Sequence, residues 1–412
     1  MSKLKVLLPI LVVIAVGVIG YTQFFGSSMP DAQPSFAEVI HSRGKVQQVT
    51  ASDDFMADIA TGDIVKPGSI VKTGDESSVT LEFVDSSKLL VASNSRVRFD
   101  TMLYSDMANS SETVVYLNSG SAESRVAKQN GFGARYEVRT PAMQLAVRGT
   151  VFHTSYDQAQ GKAKVSVIEG AVQAVNQDDE QLLTAGVGMA ASSSGKGSVQ
   201  KLLPSPALNG VDPVVNDCSP LNVAWSALQG ASEYRVQLLG GDANYAIVYD
   251  QVLSSNEVAF TGLPDNHYEM RVRGLDNQGI EGHDAELSFI LDARPPSPVA
   301  DEPKAGATIS SAKVQFRWTG SLDAKEYNFQ ISDVEDFSRI VTQIQRLPNN
   351  MVGFSVPLPP GGYYWRIASI NEHNCQGSFS KPEGFVVASP GLTTEKSQDS
   401  SENVVESESP RS

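Results

Sequence analysis

The residues that could carry out a reaction are few, and they are scattered along this sequence. Gly195-Lys196 lies in a glycine-rich stretch, but Gly197 follows the lysine where a phosphate-binding loop needs Ser or Thr. No spacing typical of a serine hydrolase, a zinc protease or an EF-hand occurs. The histidines are far apart in sequence, and we expect them in loops or at the surface: His41, His153, His267, His283 and His373. The sequence therefore predicts no catalytic residue, no metal and no cofactor, and a protein that is not an enzyme.

The net charge and the cysteine content limit which ligands the protein can bind and bear on its redox compartment. The chain of 412 residues has 32 basic and 47 acidic side chains, for a net charge of −15. Nucleic acid is excluded as a ligand, because phosphate binding needs clustered Lys and Arg and no basic stripe is present. Cys218 and Cys375 are too few for a cysteine zinc site. Their spacing fits one bridge in an oxidising compartment and two free thiols equally well.

Residues 1–30 contain a predicted membrane segment. Lys3 and Lys5 precede the apolar run 6–25, whose 20 residues are enough to span a bilayer as a helix. The lysines favour a cytoplasmic N-terminus. The run ends without an A-x-A-like site, which favours an uncleaved signal-anchor over a cleaved signal peptide. We therefore expect a single-pass protein of the bacterial inner membrane with its bulk in the periplasm, or, after cleavage, a secreted periplasmic protein.

The pattern of residues 31–202 predicts an all-β domain. Val79, Leu81 and Phe83 alternate with polar residues, and the same period of two recurs at Val165 and Val167. Clusters of Gly, Asn, Asp and Ser separate these runs. Many short strands at even spacing predict either a short β-solenoid or a sandwich.

One stretch of this domain is specific enough to indicate a family. Arg-Thr-Pro at position 139 is followed by Val-Arg-Gly-Thr-x-Phe from 147 and Val-x-Val-x-Glu-Gly from 165. This order resembles the FecR domain over roughly residues 38–192, although Ser86 stands where the family usually has Gly. The residues that carry the resemblance are Arg139, Thr140, Pro141, Arg148, Gly149, Thr150, Phe152, Glu169 and Gly170.

The resemblance implies a periplasmic β domain that relays or scaffolds without catalysis. The best-known members regulate a sigma factor through a cytoplasmic segment ahead of the membrane helix. Only five residues precede Val6 here, so we do not expect the sigma-regulator role to carry over. Physically, Pro141 can end a strand and Gly149 permits a tight turn. We expect Arg148 to be buried and paired because apolar residues flank it, with an exposed contact to a partner carboxylate as the alternative.

The downstream half contains an internal repeat. Trp225 and Trp318 are each followed nine residues later by a tyrosine, and the two copies are offset by 93 to 95 positions. That period matches one β-sandwich per copy. The pattern resembles fibronectin type III modules, with a core Trp and a late tyrosine whose hydroxyl fixes a corner. The predicted core positions are Trp225, Tyr234, Tyr268 and Arg271 in the first copy and Trp318, Tyr327, Tyr363 and Arg366 in the second.

The sequence thus predicts five segments. They are the membrane helix 1–30, the FecR-like domain 31–202, two fibronectin-like sandwiches at 203–294 and 295–389, and an acidic tail 390–412 that we expect to be disordered. The leading functional hypothesis is a non-enzymatic binding or scaffolding component of an envelope signalling assembly, whose partner is an envelope or membrane protein. The alternatives are an adhesin that binds glycan or peptidoglycan, for instance through the aromatic residues Tyr245, Tyr249, Tyr363, Tyr364 and Trp365, and a regulator of a sigma factor.

Overall fold

A computed structural model describes residues 29, 31–50, 53–128, 131, 133–241, 246–310, 314–354 and 358–388. Within these ranges the regular secondary structure is β throughout, as the sequence predicts. None of the described residues forms a helix that could cross a membrane. The predicted membrane helix 6–25 and the acidic tail 390–412 lie outside the described residues.

The FecR-like domain contains eighteen strands. They are β1 (Gln33–Pro34), β2 (Ala37–Arg43), β3 (Val46–Thr50), β4 (Asp53–Asp58), β5 (Ile64–Val65), β6 (Ile70–Thr73), β7 (Ser78–Phe83), β8 (Lys88–Val91), β9 (Arg96–Ser105), β10 (Ser110–Arg125), β11 (Arg135–Arg139), β12 (Gln144–Val147), β13 (Val151–Asp157), β14 (Lys162–Glu169), β15 (Ala171–Val175), β16 (Glu180–Thr184), β17 (Val187–Ser192) and β18 (Ser198–Lys201).

These strands form two sheets that share β10. One sheet has the order β4-β3-β6-β9-β10-β11-β12-β15-β16, with β1 beside β6 on β9. The other has the order β5-β2-β7-β8-β10-β13-β14-β17-β18. The chain passes repeatedly from one sheet to the other. Apolar residues at every second position, such as Val79, Leu81 and Phe83, fill one continuous core.

The long strand β10 changes sheet at Gly120. Residues up to Ser119 pair with β9, whereas Gly120–Arg125 pair with β13. Gly120 has φ +89°, and a Cβ at this position would lie 2.6 Å from Ser95 Cα. Only glycine fits such a corner without displacing backbone. Ser86, where the FecR pattern has Gly, also has a positive φ of +64°, so its turn keeps the conformation that glycine favours.

Two further groups of strands follow. The first sandwich contains β19 (Val214–Val215), β20 (Leu221–Ala224), β21 (Glu233–Gly240), β22 (Ile247–Leu253), β23 (Glu257–Phe260), β24 (Asn266–Leu275) and β25 (Ala285–Leu291). The second contains β26 (Val299–Glu302), β27 (Ala307–Ser310), β28 (Val314–Thr319), β29 (Glu326–Ser332), β30 (Ile340–Leu347), β31 (Met351–Phe354), β32 (Gly361–Ile370) and β33 (Glu383–Ala388). Each has a larger sheet, β19-β25-β24-β21-β22 and β27-β33-β32-β29-β30, and a smaller one, β20-β23 and β26-β28-β31.

By compactness the chain divides into two units. The first unit contains the FecR-like domain and the first sandwich, and it comprises the residues up to Val215 together with Ser219–Asp292. The second joins Asn216–Cys218 to the residues from Ala293 onward. A disulfide links Cys218 to Cys375 within the second unit, which selects the bridge over two free thiols.

Candidate functional site

The predicted stretch 139–152 forms a tight connection between strands of the FecR-like domain. β11 ends at Arg139 and β12 begins at Gln144. Between them the Thr140 hydroxyl accepts hydrogen bonds from the amides of Ala142 and Met143 and donates to the Met143 carbonyl at 3.0 Å. Because Thr140 satisfies these backbone groups, its place in the family pattern has a structural reason.

Two glycines of the family pattern interlock on this domain. Gly149 has φ +68° and Gly170 has φ +79°. A Cβ on Gly170 would lie 2.8 Å from the Gly149 carbonyl oxygen, so the two turns approach too closely for any other residue. The Thr150 hydroxyl donates to the Ala171 carbonyl at 3.0 Å, and Phe152 is fully buried in the core. Glu169, by contrast, is exposed.

The expectation that Arg148 is buried is wrong. β12 ends at Val147, and Arg148 is the first residue of the turn that follows, where its side chain is exposed. Its Nη2 donates to the Gly131 carbonyl at 3.4 Å. Arg139 is the arginine of this stretch that meets a buried acid: its Nε lies 2.5 Å from Glu137 Oε1, and the Glu137 side chain is buried.

The predicted core residues of the sandwiches are buried, except for Arg366, which is half-buried. Trp225 and Trp318 each meet a tyrosine edge, Tyr234 and Tyr327, with ring centroids 5.4 Å apart. The hydroxyl of each predicted corner tyrosine donates to a proline carbonyl four residues earlier. Tyr268 donates to Pro264 at 2.7 Å, and Tyr363 donates to Pro359 at 3.0 Å.

Of the three aromatic residues predicted as a binding face in the second sandwich, two are buried and one is half-buried. Tyr363 and Trp365 are buried, Tyr364 is half-buried, and the Trp365 indole donates to the Pro303 carbonyl at 3.1 Å. Arg366 covers two rings, with its guanidinium 4.0 Å from the centroid of Phe337 and 4.3 Å from that of Phe379. Tyr245 lies outside the described residues.

Arg271 belongs to a cluster of charges between the FecR-like domain and the first sandwich, within the first compact unit. We call this cluster the joint. Its members are mostly buried, and they come from β10, β13, β21, β22, β24 and the turn after β24: Glu123, His153, Arg235, Asp250, Arg271, Arg273, Glu281 and Asp284.

Glu281 is the centre of the joint on the sandwich side. Its Oε1 lies 2.7 Å from Arg235 Nη1, and its Oε2 lies 2.6 Å from Arg273 Nε. Burial alone opposes ionisation of this carboxyl, but the two guanidiniums outweigh burial and hold its pKa well below the usual range. Burial likewise opposes the charge of Arg235, yet Asp250 and Glu281 raise its pKa above the ordinary value. The joint is therefore a network of charged groups.

The FecR-like domain contributes Glu123 and His153 to the joint. Glu123 Oε1 lies 2.6 Å from Arg125 Nε and 3.8 Å from Arg271 Nη1 of the sandwich. Burial disfavours its charged form, but His153 and Arg125 hold the pKa of Glu123 well below its usual range. Arg235 also crosses the interface, where its Nη1 donates to the Ser121 hydroxyl at 3.0 Å.

His153 was expected in a loop or at the surface, and that expectation is wrong. It lies on β13 with 6% of its surface exposed. An apolar contact adjoins the charges, since Ile280 of the sandwich packs with Ala190 and Leu202. A Cβ on Gly188 would lie 2.6 Å from Ile280 Cγ2. The turn of the sandwich therefore packs against β17 at a position where glycine leaves room for Ile280.

The internal repeat provides a control for the joint. The pairing of strands aligns the two copies. Gln237 pairs with Asp250 in the first sandwich, and Gln330 pairs with Gln343 in the second, so Gln237 corresponds to Gln330 and Asp250 to Gln343. The joint takes six charged residues from the first sandwich, and at five of the equivalent positions the second sandwich has neutral ones; the sixth, Arg271, corresponds to Arg366. The five pairs are Arg235 and Asn328, Asp250 and Gln343, Arg273 and Ala368, Glu281 and Gln376, and Asp284 and Phe379. Apart from Arg271, the charges are therefore a property of the joint and not of the sandwich fold. Comparing the two copies is the sequence signal that could have revealed them.

Residues 69–173 match the family model of FecR protein. Among solved structures, a proposed anti-sigma factor from Parabacteroides distasonis is similar at 17% identity and a TM-score of 0.28, over 32% of this chain and 59% of that one. The matched part thus spans less than two thirds of that protein.

Fibronectin modules are also among the similar structures. The chicken CNTN1 FN1-FN3 domains show 12% identity and a TM-score of 0.24, over 56% of this chain and 95% of theirs. The Clostridium thermocellum CbhA fibronectin(III)-like modules show 10% identity and a TM-score of 0.21, over 44% of this chain and 93% of theirs. No match is found among curated proteins.

Proposed function

We propose that this protein is a non-enzymatic binding or scaffolding component of an envelope signalling or regulatory assembly. The observation that supports the proposal best is the joint: the domain that contains the FecR match is held to the first sandwich by buried polar contacts, such as Glu123–Arg271 at 3.8 Å and Arg235–Ser121 at 3.0 Å. Buried pairs lose much of their stability when one partner is displaced. A partner that binds the FecR-like domain therefore also acts on the position of the sandwich.

The proposed location is the bacterial inner membrane, with residues 6–25 as the anchor and the bulk of the chain in the periplasm. The Cys218–Cys375 disulfide supports an oxidising compartment. The partner in this proposal is an envelope or membrane protein.

Site-specific photo-crosslinking in intact cells tests the proposal. A photoreactive residue is placed at Gln144, which is exposed in the family stretch, and at Leu322, which is fully exposed in the second unit and serves as the matched control. We expect position 144 to capture one reproducible envelope protein that position 322 does not capture. Failure to recover any reproducible partner from the FecR-like domain contradicts the scaffold function.

Two further assays separate this proposal from other functions. Saturable retention of the full chain on purified peptidoglycan indicates a glycan-binding protein instead. A direct change in sigma-dependent transcription on deletion of the protein indicates a regulator of a sigma factor. The scaffold proposal predicts neither result.

A further inference from the structure

His153 lies between two carboxylates at the joint. Its Nε2 is 3.6 Å from Glu123 Oε2 of the FecR-like domain, and its Nδ1 is 3.4 Å from Glu281 Oε2 of the first sandwich. All three side chains are largely buried. The ring therefore bridges the two domains, with one nitrogen facing each of them.

The chemistry of imidazole decides which form suits this position. A neutral ring has one N–H donor and one acceptor nitrogen, whereas a protonated ring has two donors. An ionised carboxylate only accepts hydrogen bonds. A neutral His153 must therefore point a lone pair at either Glu123 or Glu281, and only the protonated ring matches both acids.

The other charged groups around the joint are compatible with a protonated His153. Arginines come from β10, β21 and β24: Arg125, Arg235, Arg271 and Arg273. Carboxylates come from β10, β22, β24 and the turn after β24: Glu123, Asp250, Glu269, Glu281 and Asp284. Glu286 of β25 lies at the rim, 3.7 Å from Arg271. From β14 the residue opposite His153 is the uncharged Ser166, and Lys164 of the same strand lies beside the turn after β24, where a Cβ on Gly279 would be 2.5 Å from its Nζ. Lys164 and Glu286 add one charge of each sign. Four guanidiniums thus meet five inner carboxylates, and a protonated His153 balances the count.

We propose that the joint is a proton-linked latch, in which closure of the first sandwich onto the FecR-like domain takes up a proton at His153. Acidification then tightens the latch, because the protonated ring presents a charged N–H to both Glu123 and Glu281. A rise in pH removes the second donor and loosens it. Histidine is suited to this role because its charge changes in the range of pH 5 to 8. Protonation of the acids does not interfere near neutrality, since contacts at the joint keep the pKa values of Glu123 and Glu281 well below their usual range.

Amide hydrogen exchange of the full chain at pH 5.5 and 8.0, corrected for intrinsic exchange rates, tests the latch. In the wild-type protein we expect about tenfold greater protection of β13 and β24 at the lower pH, the size expected from one charge-assisted hydrogen bond. His153→Gln removes this dependence. His373→Gln is the matched control, because His373 is half-exposed beside Glu372 in the second unit, and it leaves the dependence unchanged.

Two results overturn the proposal. One is wild-type protection of β13 and β24 that does not change with pH, and the other is a pH dependence that survives in His153→Gln. If His153→Gln does not fold, exchange at the imidazole C2 carbon of the wild-type chain gives the protonation of His153 directly. A ring that remains neutral over the pH range in which protection increases also overturns the latch.

Discussion

We expect Glu281→Gln to destabilise the joint strongly. The substitution keeps the size of the side chain and removes the charge that faces Arg235 Nη1 at 2.7 Å and Arg273 Nε at 2.6 Å. Both arginines are buried and remain charged. Removing one partner of a buried ion pair typically costs about 3–5 kcal/mol, because the other charge is left uncompensated. We expect a loss in this range from the free energy of unfolding of the first compact unit.

The magnitude can be read from calorimetry of the full chain. A loss of about 3–5 kcal/mol lowers the melting temperature of a unit of this size by roughly 10 °C. Glu326→Gln is the matched control, since Glu326 pairs with Arg346 at the same 2.7 Å but at a solvent-exposed site of the second unit. Exposed pairs contribute about 0.2–1 kcal/mol, so the control should shift the melting temperature of its own unit only slightly.

The pH dependence of this effect has a defined sign. The contacts at the joint depress the pKa of Glu281 in the folded protein, so its contribution to stability is present above the pKa of an unfolded Glu and is lost as the pH falls through the folded value. The difference between wild type and Glu281→Gln should therefore persist at neutral pH and shrink only in strong acid. Equal shifts for Glu281→Gln and Glu326→Gln at neutral pH refute the buried joint.

Three further changes test other parts of the fold. Gly120→Ala should lower the free energy of unfolding, measured in urea, by at least about 3 kcal/mol, because a positive φ and a clash with the Ser95 backbone combine. Gly161→Ala is the control and should cost about 1–2 kcal/mol, because Gly161 has φ +63° but open space around it. Equal losses contradict the close approach at Gly120. Arg148→Ala should change stability by less than about 0.5 kcal/mol and reduce partner capture in cells, and a large loss of stability instead assigns it a structural role. Reduction of the Cys218–Cys375 disulfide should destabilise the second unit by about 2–4 kcal/mol, and a double Cys→Ser variant should show the same melting temperature with and without reductant.

Local patterns in the sequence were sufficient to predict the β architecture. Alternation at Val79, Leu81 and Phe83 identified strands with one buried face, and these residues lie in the core. The repeat identified two sandwiches, and the structure contains one in each copy. Such features depend on neighbours along the chain, which is why they can be recognised without coordinates.

The joint depends on residues that are distant in sequence, so it was missed. His153, Arg235 and Glu281 meet because β13, β21 and the turn after β24 converge, and no period or spacing relates them. Arg148 was misplaced for a different reason. An apolar run shows where a strand lies but not which residue ends it, and the strand ends one residue before Arg148.

The most direct test of the central claim is native-state amide hydrogen exchange of the wild-type full chain at increasing, sub-denaturing urea. If the FecR-like domain and the first sandwich are joined as one body, amides in β13 and β14 and amides in β21 and β24 should converge on one common opening free energy. Separate opening free energies for the two groups of strands, with no convergence as urea increases, would contradict the account.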